Sequence, residues 1–305
     1  MNAAAFRAAV LCALAAAPVS AEVALGDGGK LKVYGDMRLR VESDWDSMQS
    51  NGSDREDRDR LRSRLRLGFS YDYDAIFSFG GRARTGAAAD QQSPHQTFGD
   101  EFETKGLNVD KAYVRGEYGA GWTWAGKNGF PFWTQNELFW DEDATPEGFS
   151  AGYAFPRTLG VALKPVVGTF VLEGSGSNNR FKDKANLTAA QVTAEGSLPA
   201  ADLTAAAGLF AFKDNALTVD TALADLDYNI WVFNAKAGVK GLPKPLSAGL
   251  DWMHNARRYS PALYNRDQKD GFVASLLYGG LKAKGDWLAG YYFARIEKYA
   301  VVARF

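Results

Sequence analysis

The sequence predicts an all-β protein, an antiparallel transmembrane β-barrel of about 14 strands (roughly 12 to 16) with a polar lumen. Three observations carry that prediction. The first is Asp57 to Tyr71, where Arg58, Arg60, Arg62, Arg64 and Arg66 share one parity and Leu61, Leu65, Leu67 and Phe69 the other. A strand sends successive side chains to opposite faces, so this stretch is a ladder of guanidinium groups backed by an apolar stripe. Wound as a helix it would show arginine on every side and have no face to bury. The second is the N-terminus. Arg7, the apolar run from Ala8 to Ala17 and the small residues of Pro18-Val19-Ser20-Ala21 read as an export signal over residues 1–21, too short to anchor in a bilayer. The third is compositional. An exported chain with 13% aromatic residues and 32 glycines, and no long apolar run after the signal, suits a barrel, in which only every second strand residue must be apolar.

The only cysteine, Cys12, lies inside the signal and reads as apolar filler. The exported part therefore has no disulfides and no thiolate metal ligands, so its stability must come from its sheet and its burial. A net charge of −1 and the absence of a basic tail or helix give no reason to expect a nucleic-acid partner.

Taken in order, Lys30 to Trp45 alternates Leu31, Val33, Met37, Leu39 and Val41 against Lys32, Tyr34, Asp36, Arg38, Arg40 and Glu42, and pairs with the arginine strand. Ser43 to Glu56 is a long polar connection between them, and Asp72 to Asp74 is a tight turn. Ile76 to Thr85 returns with Phe77, Phe79 and Ala83 outward and Ser78, Arg82 and Arg84 inward. Ala87 to Gly106, with His95, is a second polar loop. Val109 to Tyr118 reads as a strand, with Lys111, Tyr113, Arg115 and Glu117 on one face, and Gly121 to Lys127 follows it. Asn128 to Phe149 mixes aromatics and carboxylates with neither period, which predicts an ordered loop folded inward. Further strands follow over Ser150 to Phe155, Gly160 to Gly174, Ala185 to Leu198, Leu203 to Phe212, Tyr228 to Lys240, Leu246 to His254, and a hairpin of Gly271 to Lys284 with Trp287 to Arg295. Short and long connections alternate, as in a barrel with one rim toward the periplasm and one toward the outside. No linker or fixed-period repeat interrupts residues 22–305, which read as one domain.

Gly35-Asp36-Met37-Arg38-Leu39-Arg40, Arg64-Leu65-Arg66-Leu67-Gly68, Gly81-Arg82-Ala83-Arg84-Thr85-Gly86, Gly126-Lys127 with Pro131-Phe132, Trp140-Asp141-Glu142-Asp143 with Pro146-Glu147-Gly148, and the ending Asp286-Trp287 through Phe305 together resemble the "putative porin" family of Gram-negative outer membranes. The resemblance runs along most of the exported chain. It implies passive diffusion of small polar solutes or ions through a barrel embedded in outer-membrane lipid. A homo-oligomer is compatible with it. Members of that family usually continue past this ending with another hairpin, so the resemblance implies a chain short of one. The shared parity of Tyr299, Val301, Ala303 and Phe305 suits a closing strand instead.

Candidate site residues follow from the same patterns. Arg38, Arg40, Arg60, Arg62, Arg64, Arg66, Arg82 and Arg84 come from three consecutive strands and are expected to form one basic, pore-lining wall. If the Asn128 to Phe149 loop folds inward, Glu137, Asp141, Glu142 and Asp143 would face that wall and set up a transverse field. Asp141, Asp143 and Glu147 have a spacing that could hold Ca²⁺, although the loop lacks the full oxygen pattern of an EF-hand. Neither His95 nor His254 sits in a nucleophile motif, so no catalytic residues, no cofactor and no enzymatic chemistry are expected. Two other readings stay open: a narrow, side-chain-filled structural or adhesive barrel, and a barrel-embedded lipid hydrolase.

Overall fold

In the computed structural model, residues 12–15, 19–46, 53–99, 104–172, 185–215, 226–261, 263–281 and 285–302 are described. Sixteen antiparallel strands and one 3₁₀ turn account for their regular structure. The strands are β1 (Cys12–Ala15), β2 (Val19–Leu25), β3 (Leu31–Asp44), β4 (Arg58–Asp72), β5 (Phe77–Arg84), β6 (Gln96–Thr97), β7 (Asn108–Tyr118), β8 (Gly121–Lys127), β9 (Glu147–Tyr153), β10 (Ala162–Val171), β11 (Asn186–Ser197), β12 (Ala201–Asn215), β13 (Leu226–Val239), β14 (Leu246–Asn255), β15 (Asp270–Gly279) and β16 (Leu288–Ile296). The chain divides into two compact units, residues 1–73 with 78–112 and residues 74–77 with 113–305.

In the first unit β3 pairs with β4 along its whole length, from Leu31 opposite Tyr71 to Asp44 opposite Arg58. That register sets Asp36 beside Arg66, Arg38 beside Arg64, Arg40 beside Arg62 and Glu42 beside Arg60. β5 joins the other edge of β4, with Arg84 opposite Arg66. The other edge of β3 carries β1 and β2, which fall in and just past the segment read as an export signal. Cleavage after Ala21 would leave only Glu22 to Leu25 of β2 on that edge.

Burial in this unit is inverted relative to a water-soluble sheet. Leu61 and Leu67 are 49% and 48% exposed, whereas Arg64 on the same strand is 5% exposed. Met37, Leu39 and Val41 of β3 are exposed in the same way. An apolar face this continuous needs hydrocarbon against it, which a bilayer supplies. Single cysteines at positions 61, 65 and 67 are accordingly expected to react with lipid-soluble reagents, and those at 60, 62, 64 and 66 with small hydrophilic ones. Equal labelling of the two sets would remove the membrane assignment of β4.

The second unit is built from β8 to β16, each paired with its sequence neighbours. Its connections alternate in length. Residues 119–120, 198–200 and 240–245 make short turns at one end, and residues 128–146, with the described residues of 256–269, make longer connections at the other. Trp231, Phe233, Leu250, Trp252 and Leu276 stand exposed on the outer face. The inner face is Leu187, Phe210, Ile230, Val232, Met253 and Val273, all 1% exposed or less.

Two expectations change here. Residues 87–106 are not a plain polar loop, because they contain β6, which pairs with β4 at Arg62 and Ser63. The closing strand through Tyr299 is not formed over its described part. Residues 298–300 make a turn, and Tyr299, Ala300 and Val302 are buried instead of alternating. Asn255 explains the difference, since its side-chain amide donates to the Tyr299 carbonyl at 2.9 Å and draws the segment against the end of β14. Ala303 to Phe305, and the 175–179 turn, lie outside the described residues.

Candidate functional site

The arginine ladder sits on the less exposed side of the first unit's strands, threaded with carboxylates from β3 and β7. Asp36 takes Arg64 at 2.9 Å and Arg66 at 2.6 Å. Glu42, 4% exposed, is bracketed by Arg40 and Arg60, with Arg62 at 3.5 Å. Asp44 receives Arg58 at 2.7 Å and Arg60 at 3.0 Å. Asp110 on β7 holds Arg82 at 2.6 Å and lies 3.8 Å from Arg84. Parity alone lets Asp36 and Glu42 share a face with the arginines, but only the register brings each next to its partners. The guanidinium groups are thus half-buried in an ion-pair network. The arginines outnumber these carboxylates, and the buried Nε atoms of Arg40, Arg60 and Arg62 and Nη1 of Arg84 have no protein acceptor.

Residues 86–95 form an excursion between β5 and β6 that folds over this ladder. Gly86 starts it at φ +98°, where a Cβ would fall within 3 Å of the Ser93 and Pro94 backbone. Thr85 Oγ1 donates to the Pro94 carbonyl at 2.8 Å, Arg62 to Ser93 Oγ at 3.1 Å and Arg84 to the Asp90 carbonyl at 2.5 Å. Burial, reinforced by the guanidinium groups of Arg40, Arg62, Arg64 and Arg38, lowers His95 to about 4. Its neutral form is therefore the one that fits. Above the ordinary histidine range the excursion loses nothing, and as pH falls from about 6.5 toward 4 the detached form gains a proton the docked form cannot accept. Protease cleavage within 86–95 is expected to rise over that window and to lose its pH dependence in His95→Gln. A pH-independent cleavage rate in the parent protein would contradict this placement.

In the second unit the 128–146 loop folds against the inner face of its own sheet, as the aperiodic mixture of aromatics and acids predicts. Phe130 stacks on Trp140 at 4.1 Å, and Phe132 and Phe139 meet Phe210 of β12 edge-on at 5.1 and 4.8 Å. Each such pair adds about 0.5–1.5 kcal/mol beyond the area it buries. Polar anchors fix the loop's position. Gln191 of β11 clamps the Trp133 backbone from both sides, accepting from its N–H at 2.7 Å and donating to its carbonyl at 2.9 Å. Asp251 of β14, 3% exposed, accepts from Gln135 at 2.7 Å and from Asn136 and Asn234. Ser275 donates to Gln135 at 3.0 Å. Gly249 makes room, since a Cβ there would lie 2.0 Å from the Gln135 side-chain oxygen.

The four acids of this loop separate into two pairs. Glu137 and Glu142 are exposed and line a cavity of about 600 Å³ with Gln135, Asn136 and Tyr292. Asp141 instead accepts from the Asp143 N–H at 2.8 Å, and Asp143 is buried. Glu147 is on β9 and pairs with Lys127 at 2.8 Å, so the three calcium candidates are not gathered. Among the described residues no three His, Cys, Asp or Glu side chains form a metal-holding group. His254 faces outward, 2.8 Å from Asp270 and stacked on Trp252.

No curated protein sequence matches the chain. Among solved structures it is similar to Salmonella typhi OmpF in complex with daunomycin, with a TM-score of 0.48 and 11% identity over 89% of this chain and 93% of that one. It is also similar to the in-vitro folded trimer form of Vibrio cholerae OmpT, with a TM-score of 0.46 and 12% identity over 89% and 92% of the two chains. The family model described as putative porin matches residues 47–230, more than half of the sequence. With its antiparallel strands, exposed apolar faces and alternating connections, the chain belongs to the putative porin family and is an outer-membrane β-barrel protein.

Proposed function

We propose that the protein is a passive diffusion channel of the Gram-negative outer membrane for small polar solutes and ions, with a lumen lined by its arginine ladder and biased toward anions. One observation carries this reading above the others. Arg38, Arg40, Arg60, Arg62, Arg64, Arg66, Arg82 and Arg84 lie on the less exposed side of strands whose other side is apolar and exposed, and they outnumber the carboxylates set among them. Fixed positive charge beside a low-dielectric wall raises the local concentration of anions. Glu137 and Glu142 supply acidic groups on the exposed side of the inward loop. The mechanism is filtration by charge and width, and no bond is made or broken.

A specific observation favours the alternative of a narrow structural barrel. The inner face of the second unit is covered by the aromatic loop, and side chains packed that densely leave little room for water. Insertion into a planar bilayer separates the readings. Discrete conductance steps with a reversal potential of anionic sign are expected. A barrel that inserts, resists unboiled SDS and gives no steps would establish the structural role instead.

A further inference from the structure

We propose that a pocket lined by Trp122, Trp133, Lys164 and Glu195 is a binding subsite for the ring of a neutral hydroxylated solute, of which a pyranose saccharide is the class that fits. It has a volume of about 210 Å³ and is also lined by Pro131 and Thr193. That is below the usual range for drug-sized ligands and suits one small ring. All its residues belong to the second unit.

The walls are held in place before any ligand arrives. Trp122 lies across from Gly152 in the β8–β9 pairing, and a Cβ on Gly152 would come within 2.6 Å of the indole. The bare glycine therefore seats the ring. The Arg115 guanidinium lies 5.0 Å from the centre of the same ring. Trp133 is carried on the inward loop, where the two-point Gln191 clamp fixes its backbone. The seated Trp122 indole and Trp133, whose backbone is held, present apolar, electron-rich surface at little ordering cost. The C–H bonds on one face of a pyranose are attracted to such surface.

Lys164 and Glu195 add the polar half. They pair across β10 and β11 at 2.7 Å and keep 42% and 34% of their side chains exposed. One ammonium and one carboxylate side by side offer donors and acceptors to hydroxyl groups with no net charge. That combination suits a neutral polyol better than an anion or a cation. The same residues lie toward the short-connection ends of β8, β10 and β11, the periplasmic side in barrels of this class. A solute that has passed the inward loop would meet them there.

The idea that such solutes cross the protein rests on the channel reading, so the test uses a readout independent of conductance. Saturation-transfer NMR on the detergent-refolded chain, with methyl β-D-glucopyranoside as probe, is expected to show saturable contact that is strongest at H1, H3 and H5, the protons of one ring face. Glu195→Gln removes a charged acceptor and should weaken the apparent affinity about tenfold. Trp122→Ala and Trp133→Ala should abolish the face preference. Each variant is checked for resistance to unboiled SDS, and Glu195→Gln keeps the test valid if a tryptophan variant fails to fold. No saturable transfer, the same transfer in all three variants, or binding of benzoate in place of the glucoside would each overturn the proposal. Glucoside binding by a protein that gives no conductance steps would leave the subsite standing and remove only the channel.

Discussion

Asp251→Ala is expected to release the 128–146 loop from the wall of its unit and to produce the largest stability loss of any single change on β14. The carboxylate accepts from three side-chain amides, two on the loop and one on β13. An unmatched buried donor costs about 1–3 kcal/mol. Gln135 and Asn136 can return to water if the loop departs, so the cost of detaching sets the ceiling and Asn234 bears the remainder. Protease cleavage between residues 128 and 146 should appear, and single-channel conductance should rise as the aromatic cluster leaves the inner face. Leu250→Ala, one residue away on the exposed parity, serves as the control and should change neither. A resistant loop in Asp251→Ala would mean that the contacts of Phe130, Phe132 and Phe139 suffice to hold it.

The ladder and the loop were legible in the sequence to different depths, and the reason is the range of the interactions. Alternation is local, so Leu61 and Arg62 declare opposite faces with no knowledge of the rest of the chain. The inward fold of 128–146 was legible because aromatics such as Phe130 and Trp140 need burial that neither period provides, whereas Glu147 to Phe149, read as the end of that loop, belong to β9. Its anchors were not. Gln191, Asp251 and Ser275 lie 58 to 140 residues from the loop groups they hold, and each is a buried polar residue at an inward-facing position of its strand. A polar side chain at core parity is the signal that could have found them. Spacing also cannot separate an acid that faces solvent from one that caps its own turn, which is why Asp141 and Asp143 part company with Glu137 and Glu142. The excursion over 86–95 left no periodic trace either. It depends on the positive φ of Gly86 and on backbone carbonyls at Asp90 and Pro94, which any polar loop possesses.

The ladder gives a pair of variants whose effects should be opposite in sign. Replacing Arg62, Arg64 and Arg66 together with glutamine removes three fixed positive charges and should move the reversal potential in a salt gradient toward cation preference. Glu42→Gln removes the carboxylate that lies among Arg40, Arg60 and Arg62, and should move it toward stronger anion preference. Both variants strand buried charge, so both should lower stability. The triple variant leaves Asp36 without its two paired guanidinium groups, and breaking a buried pair from one side costs about 3–5 kcal/mol. Loss of stability alone therefore cannot distinguish a structural ladder from one that lines the pore. The two opposed shifts can, because only charges that act on the permeating ions change selectivity in both directions. If the two variants shift the potential in the same direction, or leave it unchanged while conductance persists, the arginines are structural ion-pair partners and the selectivity resides elsewhere in the chain.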